Sequence, residues 1–402
     1  MKRECSQYKG AYIPQALLEE IRRTNNRLTI GIPKEHNPEE RRLALTPEAI
    51  GVLTENGHRV IIESTAGEGI NYPDYRFSEA GAEIASTAAE LYQADYIFKI
   101  LPPLPAEVAL MKPKSTIFSM VQLDAFAAES FELMMHKQIN AFAYELITDD
   151  HRRSPILNIM SEIEGSTSIM IASEMLSNAK GGKGLLLGGI PGITPTEVVI
   201  IGAGSAGTVA ARAALALGAT VKVFDNDINK LRTIQQVLGQ NVFTSNFHPN
   251  VLRNAFIGAD VVIGSMRYIN TRRRYIISED LIQKMKKGAV VIDLRITQGG
   301  CFETTCGLSA KHPYVFERYG VIHYCKPNIS NYVARSAAMA FSNIITPLVI
   351  MLGDAGSLHT ATKADSYFRS GIYLYNGRPV NNYVSNHFNI LSNNLDIYLS
   401  SF

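Results

Sequence analysis

The amino-acid sequence predicts an α/β protein with two units, each built on a mainly parallel sheet. The length of 402 residues suits two, or three, domains of ordinary size. Short apolar, strand-like runs alternate with helical stretches, which is typical of parallel α/β sheets. The alternation breaks near residue 155, where a long helix rich in small residues and Met precedes the segment GGKGLLLGGIPGITP. We therefore expect a domain boundary near residue 155.

The individual elements follow from this alternation. In the first series the predicted strands are LTIGIP, RVIIES, YIFKI, TIFSM and AFAYE, and the predicted helices include PEAIGVLTENG, AAELYQ and AAESFELMMHK. In the second series the predicted strands are VVIIG, VKVFD, DVVIG, AVVID and VIHYC. A short amphipathic helix is predicted over residues 12–26 and a long apolar helix over about 336–352. The tail beyond it is polar, with few helix signals in its first part.

Composition excludes several classes of protein. The chain is 46% hydrophobic and 19% charged, with a formal net charge of +2, so it is neither disordered nor basic enough for nucleic-acid binding. Its four cysteines form no CxxC pair, which favours a reducing compartment. The sequence shows no secretory signal, and its best membrane candidate, residues 337–352, is short and interrupted by polar residues. We expect a cytoplasmic protein with no membrane or nucleic-acid partner and no metal.

The strongest local motif is VVIIGAGSAG, a strand followed by glycines in GxGxxG spacing and then an alanine-rich helix. In a dinucleotide site, Gly202 allows the tight turn, Gly204 lets the backbone approach the pyrophosphate, and Gly207 lets the helix pack on the strand. The N-terminus of the helix offers unpaired N–H groups to the phosphates. Asp225 ends the next strand, at about the spacing of the acid that holds the adenosine ribose, and an acid there favours NAD(H) over NADP(H).

Several long segments together resemble one family, the alanine dehydrogenase and pyridine nucleotide transhydrogenase α family. The similarity covers roughly residues 28–355. Among its segments, the sequence GGCFETT and the glycine-rich linker resemble the alanine dehydrogenase branch. The segments that carry the resemblance are IGIPKEHNPEERRLALTP, GGKGLLLGGIPGITPTEVVIIGAGSAGTVAA, DLRITQGGCFETT and VIHYCKPNISNYVARSAAMAFSN.

The resemblance implies two Rossmann-like, doubly wound domains, the first of them discontinuous. Residues 1–154 plus 333–402 would form the substrate domain and residues 155–332 the NAD-binding domain, with the site in the cleft between them. The family's reaction is the reversible oxidative deamination of L-alanine to pyruvate and ammonia, with NAD⁺ taking the hydride. The partners implied are therefore a small amino acid or 2-oxo acid and, in a homo-oligomer, further copies of the chain.

Two basic residues match the family's substrate site. Arg42, in the RLALTP segment, would hold the substrate carboxylate, because its planar fork suits a carboxylate; the alternative is a solvated loop arginine. Lys99, in YIFKILPP, would orient and polarise the substrate carbonyl. The alternative for Lys99 is a side chain that extends to solvent from the end of a strand.

Two other matched positions depart from the family. Gln122 stands where the family has a histidine, and glutamine cannot transfer a proton near neutrality. Thr297 replaces the family's aspartate. The same stretch gains Arg295, and strand alternation predicts that Asp293, Arg295 and Thr297 share one face. Arg295 would then either pair with Asp293 or make the pocket more cationic, which would suit a substrate with an extra carboxylate.

Three further residues would contact the cofactor by resemblance: Ser161 and Asn328 near the nicotinamide, and Ser245, a weaker candidate, near the adenine.

The sequence is compatible with two functions. The first is an NAD-dependent amino-acid dehydrogenase of the alanine dehydrogenase type. The second is a paralogue that binds NAD(H) with weak or no alanine turnover, acting on another substrate or in regulation; Gln122 and Thr297 favour it.

Overall fold

The computed structural model of the chain describes residues 27–266, 276–306 and 313–400. The helix predicted over residues 12–26 lies outside them. The described residues divide into two compact units: one takes the residues up to Ile159 and those from Val333 onward, and the other runs from Met160 to Tyr332. The family resemblance implies these boundaries after residues 154 and 332.

The first unit contains an eight-stranded sheet. Six strands are parallel, in the order β3-β2-β1-β4-β5-β6, and two antiparallel strands, β14 and β15, extend it beyond β6. This is the order of a doubly wound sheet, with the reversal between β1 and β4. The strands are β1 Thr29–Ile32, β2 Arg59–Glu63, β3 Glu83–Ala85, β4 Tyr96–Phe98, β5 Thr116–Ser119, β6 Asn140–Ala143, β14 Ile372–Tyr375 and β15 Arg378–Pro379.

Helices connect the parallel strands of the first unit, and their apolar faces pack on the sheet. Its main core cluster contains aliphatic residues of β4 and β5 together with aromatic residues of the neighbouring helices and of β14. The helices before the long boundary helix are α1 Pro47–Glu55, α2 Asp74–Glu79, α3 Ala88–Leu91, α4 Pro105–Leu110 and α5 Ala128–His136. The boundary at Ile159 falls within the next helix, α6 Pro155–Leu176.

The second unit contains a seven-stranded sheet of the same winding. Its order is β9-β8-β7-β10-β11-β13-β12, with only β12 antiparallel, so the strand order reverses between β7 and β10. The predicted fold class, two Rossmann-like α/β domains, is confirmed. The strands are β7 Glu197–Ile201, β8 Thr220–Phe224, β9 Phe243–Ser245, β10 Val261–Gly264, β11 Val290–Asp293, β12 Val315–Arg318 and β13 Val321–Tyr324, and the helices are α7 Ser205–Ala216, α8 Ile228–Leu238, α9 Pro249–Gly258 and α10 Glu279–Ile282.

The helix after the second unit is longer than the sequence predicts. Helix α11 runs from Ala334 to Ala355, and with the 3₁₀ turn before it the stretch Ile329–Ala355 is long and apolar enough to cross a membrane by length and composition. Most of the apolar window, 61%, is buried in the protein. The core helix of a globular domain passes the same test, and the Ser342 hydroxyl of α11 accepts a hydrogen bond from the Thr46 N–H at the start of α1.

The tail has more regular structure than the sequence indicates. Four helices follow α11: α12 Leu358–Ala364, α13 Ser366–Gly371, α14 Asn382–His387 and α15 Leu395–Ser400. The side chains of Ser357 and Asp365 cap α12 and α13, and both caps are short local signals. Strand β14 pairs with β6 through Ile372 and Leu374, so the tail contributes to the first sheet.

Candidate functional site

In a doubly wound sheet, ligands bind beyond the carboxyl ends of the strands, where the strand order reverses. The first unit has this point between β1 and β4, and the second has it between β7 and β10. A predicted site residue can therefore contact a ligand only if it lies at the carboxyl edge of its own sheet.

The glycine turn of the second unit has the geometry of a nucleotide cradle. Gly202 has a φ of +109°, in the region where glycine is favoured. A Cβ on Gly207 would lie 1.9 Å from the Gly202 carbonyl oxygen, so only glycine lets α7 begin this close to the turn. A Cβ on Gly204 would meet nothing within 4 Å. The space at Gly204 is what a pyrophosphate needs, and the residues present fit a bound dinucleotide.

Asp225 directly follows β8 and is held by two backbone groups. Its Oδ2 accepts from the Ala203 N–H at 2.8 Å, and its Oδ1 accepts from the Asp227 N–H at 2.9 Å. Because a carboxylate oxygen has two lone pairs, both oxygens retain acceptor capacity for ribose hydroxyls. Ser245 ends the neighbouring strand, and its carbonyl accepts from the Asp225 N–H at 3.2 Å, so these two predicted residues lie side by side.

The long helix α6 approaches the same glycine turn. A Cβ on Gly165 would lie 2.2 Å from the Ala206 carbonyl oxygen, in the first turn of α7. Sequence reasoning missed Gly165; the only available signal was a glycine inside a long helical pattern. Ser161 lies one turn earlier on α6 and is half-buried. Asn328 follows β13 with a φ of +52°, and its carbonyl accepts from the Asn331 N–H.

The prediction that Asp293, Arg295 and Thr297 share one strand face is wrong. Strand β11 ends at Asp293, and a 3₁₀ turn occupies Ile296–Gln298, which leaves Thr297 exposed. The glycines Gly299 and Gly300, both with positive φ, turn the chain here. The strand therefore ends before the alternation can reach Thr297.

Arg295 is buried, but its ion pair is with Glu164 and not with Asp293. Its Nη1 lies 3.7 Å from the Glu164 Oε2, and its Nε donates to the Ser265 carbonyl at 3.0 Å. The Ser265 hydroxyl in turn donates to the Gly202 carbonyl at 3.1 Å. Asp293 instead accepts the backbone N–H of Arg295 and of Cys301. Arg295 thus supports the glycine turn, and Glu164 offsets its charge.

In the first unit, Lys99 follows β4 and is fully buried. Its Nζ donates to both carboxylate oxygens of Glu107 at 2.7 Å, and the nearest oxygen of Glu35 is 3.9 Å away. The side chain of Lys99 has an exposed fraction of 0%, so the alternative that it extends to solvent is wrong. Glu107 is on α4, where it also accepts from the Tyr92 hydroxyl at 2.9 Å and from the Leu104 N–H at 2.7 Å.

Sequence reasoning missed the two residues that β1 places beside Lys99. Glu35 accepts from the N–H groups of Ile100 at 2.5 Å and Leu101 at 3.2 Å, and burial raises its pKa to about 7 although Lys99 acts in the opposite direction. His36 is an exposed residue, with its Nδ1 3.8 Å from the Glu107 Oε2. The available signal was their position in the loop that follows the buried strand β1.

Arg42 lies farther along the same loop and is also buried. Its Nε and Nη2 donate to the two oxygens of Glu40, at 2.7 and 2.5 Å. The alternative of a solvated loop arginine is therefore wrong. This fork fixes the plane of the guanidinium. The charge of Arg42 also lowers the pKa of Glu145, but burial is the larger effect and raises it.

Gln122 follows β5, the neighbour of β4. Its φ is +33°, and its N–H donates to the Glu145 Oε1 at 3.3 Å. Its side-chain Nε2 lies 3.4 Å from the Met120 Sδ. The charge of Arg42 lowers the pKa of the same Glu145 carboxyl group that accepts from the Gln122 N–H. Glu145 therefore interacts with both predicted residues at the carboxyl edge of the first sheet. Arg42, Lys99 and Gln122 thus share that edge.

Two observations concern other kinds of site. Within residues 27–266, 276–306 and 313–400, no group of three His, Cys, Asp or Glu side chains could hold a metal ion. A cavity of about 440 Å³ lies at the opposite, amino edge of the first sheet, lined by residues that begin its strands. It includes Tyr96, Thr116 and Asn140, and none of the predicted site residues lines it.

Comparison with known proteins finds relatives that match most of the chain. "Alanine dehydrogenase 2" of Staphylococcus aureus (strain Mu50 / ATCC 700699) is 34% identical over 361 residues, which are 90% of this chain and 96% of that protein. A solved structure of L-alanine dehydrogenase has a TM-score of 0.84 at 33% identity and covers 90% of this chain and 99% of its own. A transhydrogenase from Sinorhizobium meliloti, with a TM-score of 0.74 at 22% identity over 88% and 99% of the two chains, shows the likeness of the fold.

The family models for alanine dehydrogenase/PNT match both parts of the sequence. The N-terminal domain model matches residues 31–164, and the C-terminal domain model matches residues 168–382. The two matches cover most of the chain, and the resemblance found in the sequence is confirmed. This protein belongs to the alanine dehydrogenase/PNT family.

Proposed function

We propose that the protein is an NAD-dependent amino-acid dehydrogenase that interconverts a small amino acid with its 2-oxo acid and ammonia, with L-alanine and pyruvate as the principal pair. One observation carries the proposal. The basic residues Arg42 and Lys99 are buried and held at the carboxyl edge of one doubly wound sheet, in a chain whose other sheet has a complete dinucleotide turn. The relatives are named alanine dehydrogenases, which agrees with this assignment.

The substrate residues of the proposal are Arg42 and Lys99. Glu40 accepts hydrogen bonds from Nε and Nη2 of Arg42 and so fixes the plane of the guanidinium, to which we assign the substrate carboxylate. An ammonium has three N–H donors, and Glu107 accepts two from Lys99. The third is the donor that we propose polarises the substrate carbonyl. Bound NAD⁺ supplies the hydride acceptor.

The proposed cofactor residues lie at the carboxyl edge of the second sheet. Gly204 gives access to the pyrophosphate, Gly202 and Gly207 form the turn, and Asp225 with Ser245 holds the adenosine end. Ser161 and Asn328 would contact the nicotinamide end by family resemblance. Asp225 favours NAD over NADP, because a carboxylate at this place repels a 2′-phosphate.

Gln122 and Thr297 support a second candidate, a family member that binds NAD(H) with weak or no alanine turnover. Neither side chain transfers a proton near neutral pH, and loss of an acid–base group typically costs ~10²–10⁴ in rate. Arg295 offers less support for an acidic substrate, because Glu164 lies 3.7 Å from its guanidinium and offsets its charge. We therefore favour small neutral substrates over acidic ones.

The test follows NADH formation with L-alanine and a panel of other amino acids, beside a direct NADH titration. The double variant Gln122→His, Thr297→Asp should raise kcat with alanine by at least ~10-fold, because it restores acid–base groups. Histidine also tolerates the positive φ of position 122 better than most residues.

The matched control for the double variant is Gln138→His with Thr233→Asp. Gln138 also has a positive φ, of +58°, and Thr233 lies exposed on α8. The control should leave kcat unchanged. NADH binding without turnover on any substrate would establish the second candidate. A double variant no faster than the unmodified protein would contradict the roles given to positions 122 and 297.

We also propose that the protein is a homo-oligomer and acts in the cytoplasm in amino-acid breakdown. The oligomer rests on family resemblance, and the cytoplasmic location rests on cysteine usage, with three cysteines present as free thiols among the described residues. Light scattering of the purified chain measures the first, and fractionation of cells the second.

A further inference from the structure

A line of ionisable side chains leads from the buried Lys99 toward solvent in the first unit. The exposed fraction of the side chain rises along it, from 0% at Lys99 to 14% at Glu107 and 29% at His36. Three different segments supply these residues: the end of β4, helix α4 and the loop after β1. The arrangement therefore depends on the tertiary fold of this unit.

The two links of the line differ in length. The Lys99 Nζ is 2.7 Å from both Glu107 oxygens, so the first link is a direct pair of hydrogen bonds. The His36 Nδ1 is 3.8 Å from the Glu107 Oε2, which is ~0.6 Å beyond hydrogen-bond range. We infer that the exposed imidazole rotates to close that gap, because Glu107 is held by Lys99, by the Tyr92 hydroxyl and by the Leu104 N–H.

We propose that Lys99, Glu107 and His36 form a proton relay that connects the substrate-facing lysine with solvent. The Lys99 ammonium gives one proton to the Glu107 carboxylate, which leaves a neutral amine and a carboxylic acid. The Glu107 acid then gives that proton to the His36 Nδ1, and the resulting imidazolium releases a proton to water. The neutral Lys99 amine takes up the proton that deamination releases, which restores the ammonium. The relay runs in reverse for reductive amination. It rests on the proposed function, in which deamination releases a net proton that must leave the site.

The charges around His36 suit this role. Burial, together with the positive charge of Lys99, lowers the pKa of His36, while the Glu107 carboxylate acts in the opposite direction. A neutral imidazole near pH 7 is able to accept a proton. The other groups that face this line are Glu35, on the same loop as His36, and the Tyr92 hydroxyl.

Glu35 is a poorer outlet than His36, although it also lies near Lys99. Its side chain is only 5% exposed, and the N–H groups of Ile100 and Leu101 hold its two oxygens inward. Its nearest oxygen is 3.9 Å from Lys99, against 2.7 Å for Glu107. His36 is thus the described group that combines a contact with Glu107 and access to water. It supplies an imidazole to a site in which position 122 has none.

The kinetic test uses the full chain with His36→Ala, and His359→Ala as the matched control. His359 is a half-buried histidine of the same unit that contacts Tyr375. We expect His36→Ala to lower kcat by ~10- to 100-fold and to shift its pH profile, and added imidazole to restore much of the loss. The control should show neither effect. Unchanged kcat and pH profile in His36→Ala, or a loss that imidazole does not restore, would overturn the relay.

A second measurement does not depend on turnover. The His36 imidazole signal is titrated by NMR in the unmodified protein, in Lys99→Gln and in Glu107→Gln. Loss of the lysine charge should raise the pKa of His36, and loss of the carboxylate should lower it. If the unmodified chain binds NADH but turns over no substrate, the proposed function fails and this titration alone decides the relay. A His36 titration that neither substitution moves would refute the coupling.

Discussion

The space beside Gly204 gives the sharpest test of the nucleotide site. A Cβ at this position meets nothing within 4 Å, and its φ of −80° is open to any residue. Gly204 is the N-cap of α7, where alanine is less favourable than glycine, so Gly204→Ala should fold with a loss of stability of no more than about 1 kcal/mol. If the pyrophosphate lies against this backbone, the added methyl group occupies its place and weakens NADH binding.

The size of the effect follows from the cost of overpacking. An extra methyl in a filled site typically costs about 1–3 kcal/mol, so the Kd for NADH should rise by ~5- to 150-fold. Gly207→Ala should behave differently. Its Cβ would lie 1.9 Å from the Gly202 carbonyl oxygen, which is backbone and cannot move aside, so this variant should lose stability as well as affinity.

The assay combines urea unfolding with NADH fluorescence titration on each variant. Gly51→Ala is the matched control, because its Cβ also meets nothing within 4 Å and it lies on α1 of the first unit. It should gain about 0.5–1 kcal/mol of stability, as glycine does when replaced by alanine inside a helix, with NADH affinity unchanged. A Gly204→Ala variant that binds NADH as tightly as the unmodified protein would refute our placement of the pyrophosphate.

Two further predictions concern single carboxylates. Asp225→Asn removes the charge that repels a 2′-phosphate but keeps an acceptor for the Ala203 N–H. In paired titrations, the ratio of the Kd for NADPH to the Kd for NADH should therefore fall by ~10-fold. An unchanged ratio would contradict the role of Asp225. Burial raises the pKa of Glu35 from the usual 4.5 to about 7, so the folded protein favours the protonated carboxyl group. The stability that Glu35 contributes is therefore fully present below pH ~4.5 and is lost as the pH rises through 7. Glutamine at position 35 cannot ionise. Between about pH 5 and pH 8, the free energy of unfolding of the unmodified protein should therefore fall by about 3 kcal/mol relative to that of Glu35→Gln. Parallel pH dependences in urea unfolding would show that Glu35 does not titrate in this range.

The alternation of the sequence predicted two mainly parallel sheets, because most of their strands are buried runs of apolar residues between clear helices, whereas the double winding came from the family resemblance. It failed where local patterns compete with the tertiary fold. Residues Ile372–Tyr375 read as part of a polar tail, yet β14 is buried on β6. The pairing joins segments far apart in the chain, and no local periodicity reports such a contact. The shared face predicted for Asp293, Arg295 and Thr297 was wrong because alternation does not reveal where a strand ends and the chain turns.

The site was predictable only where a motif has a fixed spacing. The glycine turn and Asp225 could be placed from their distance along the chain, since one strand–turn–helix–strand unit contains them all. The partners of Lys99 could not be, because Glu35, His36 and Glu107 meet it only after β1, β4 and α4 are assembled. Resemblance identified Arg42 but not Glu40, whose carboxylate determines how the guanidinium is oriented.

The return of the tail to β6 has a consequence for synthesis on the ribosome. The Asn140 side chain at the start of β6 accepts from the Asn376 N–H, a contact across 236 residues. Until β14 emerges, β6 is an edge strand with open N–H and C=O groups, and the whole second unit is translated during that interval. The unpaired edge of β6 is therefore able to pair with other nascent chains while the second unit folds. Strand β14, which is translated after the second unit, closes that edge.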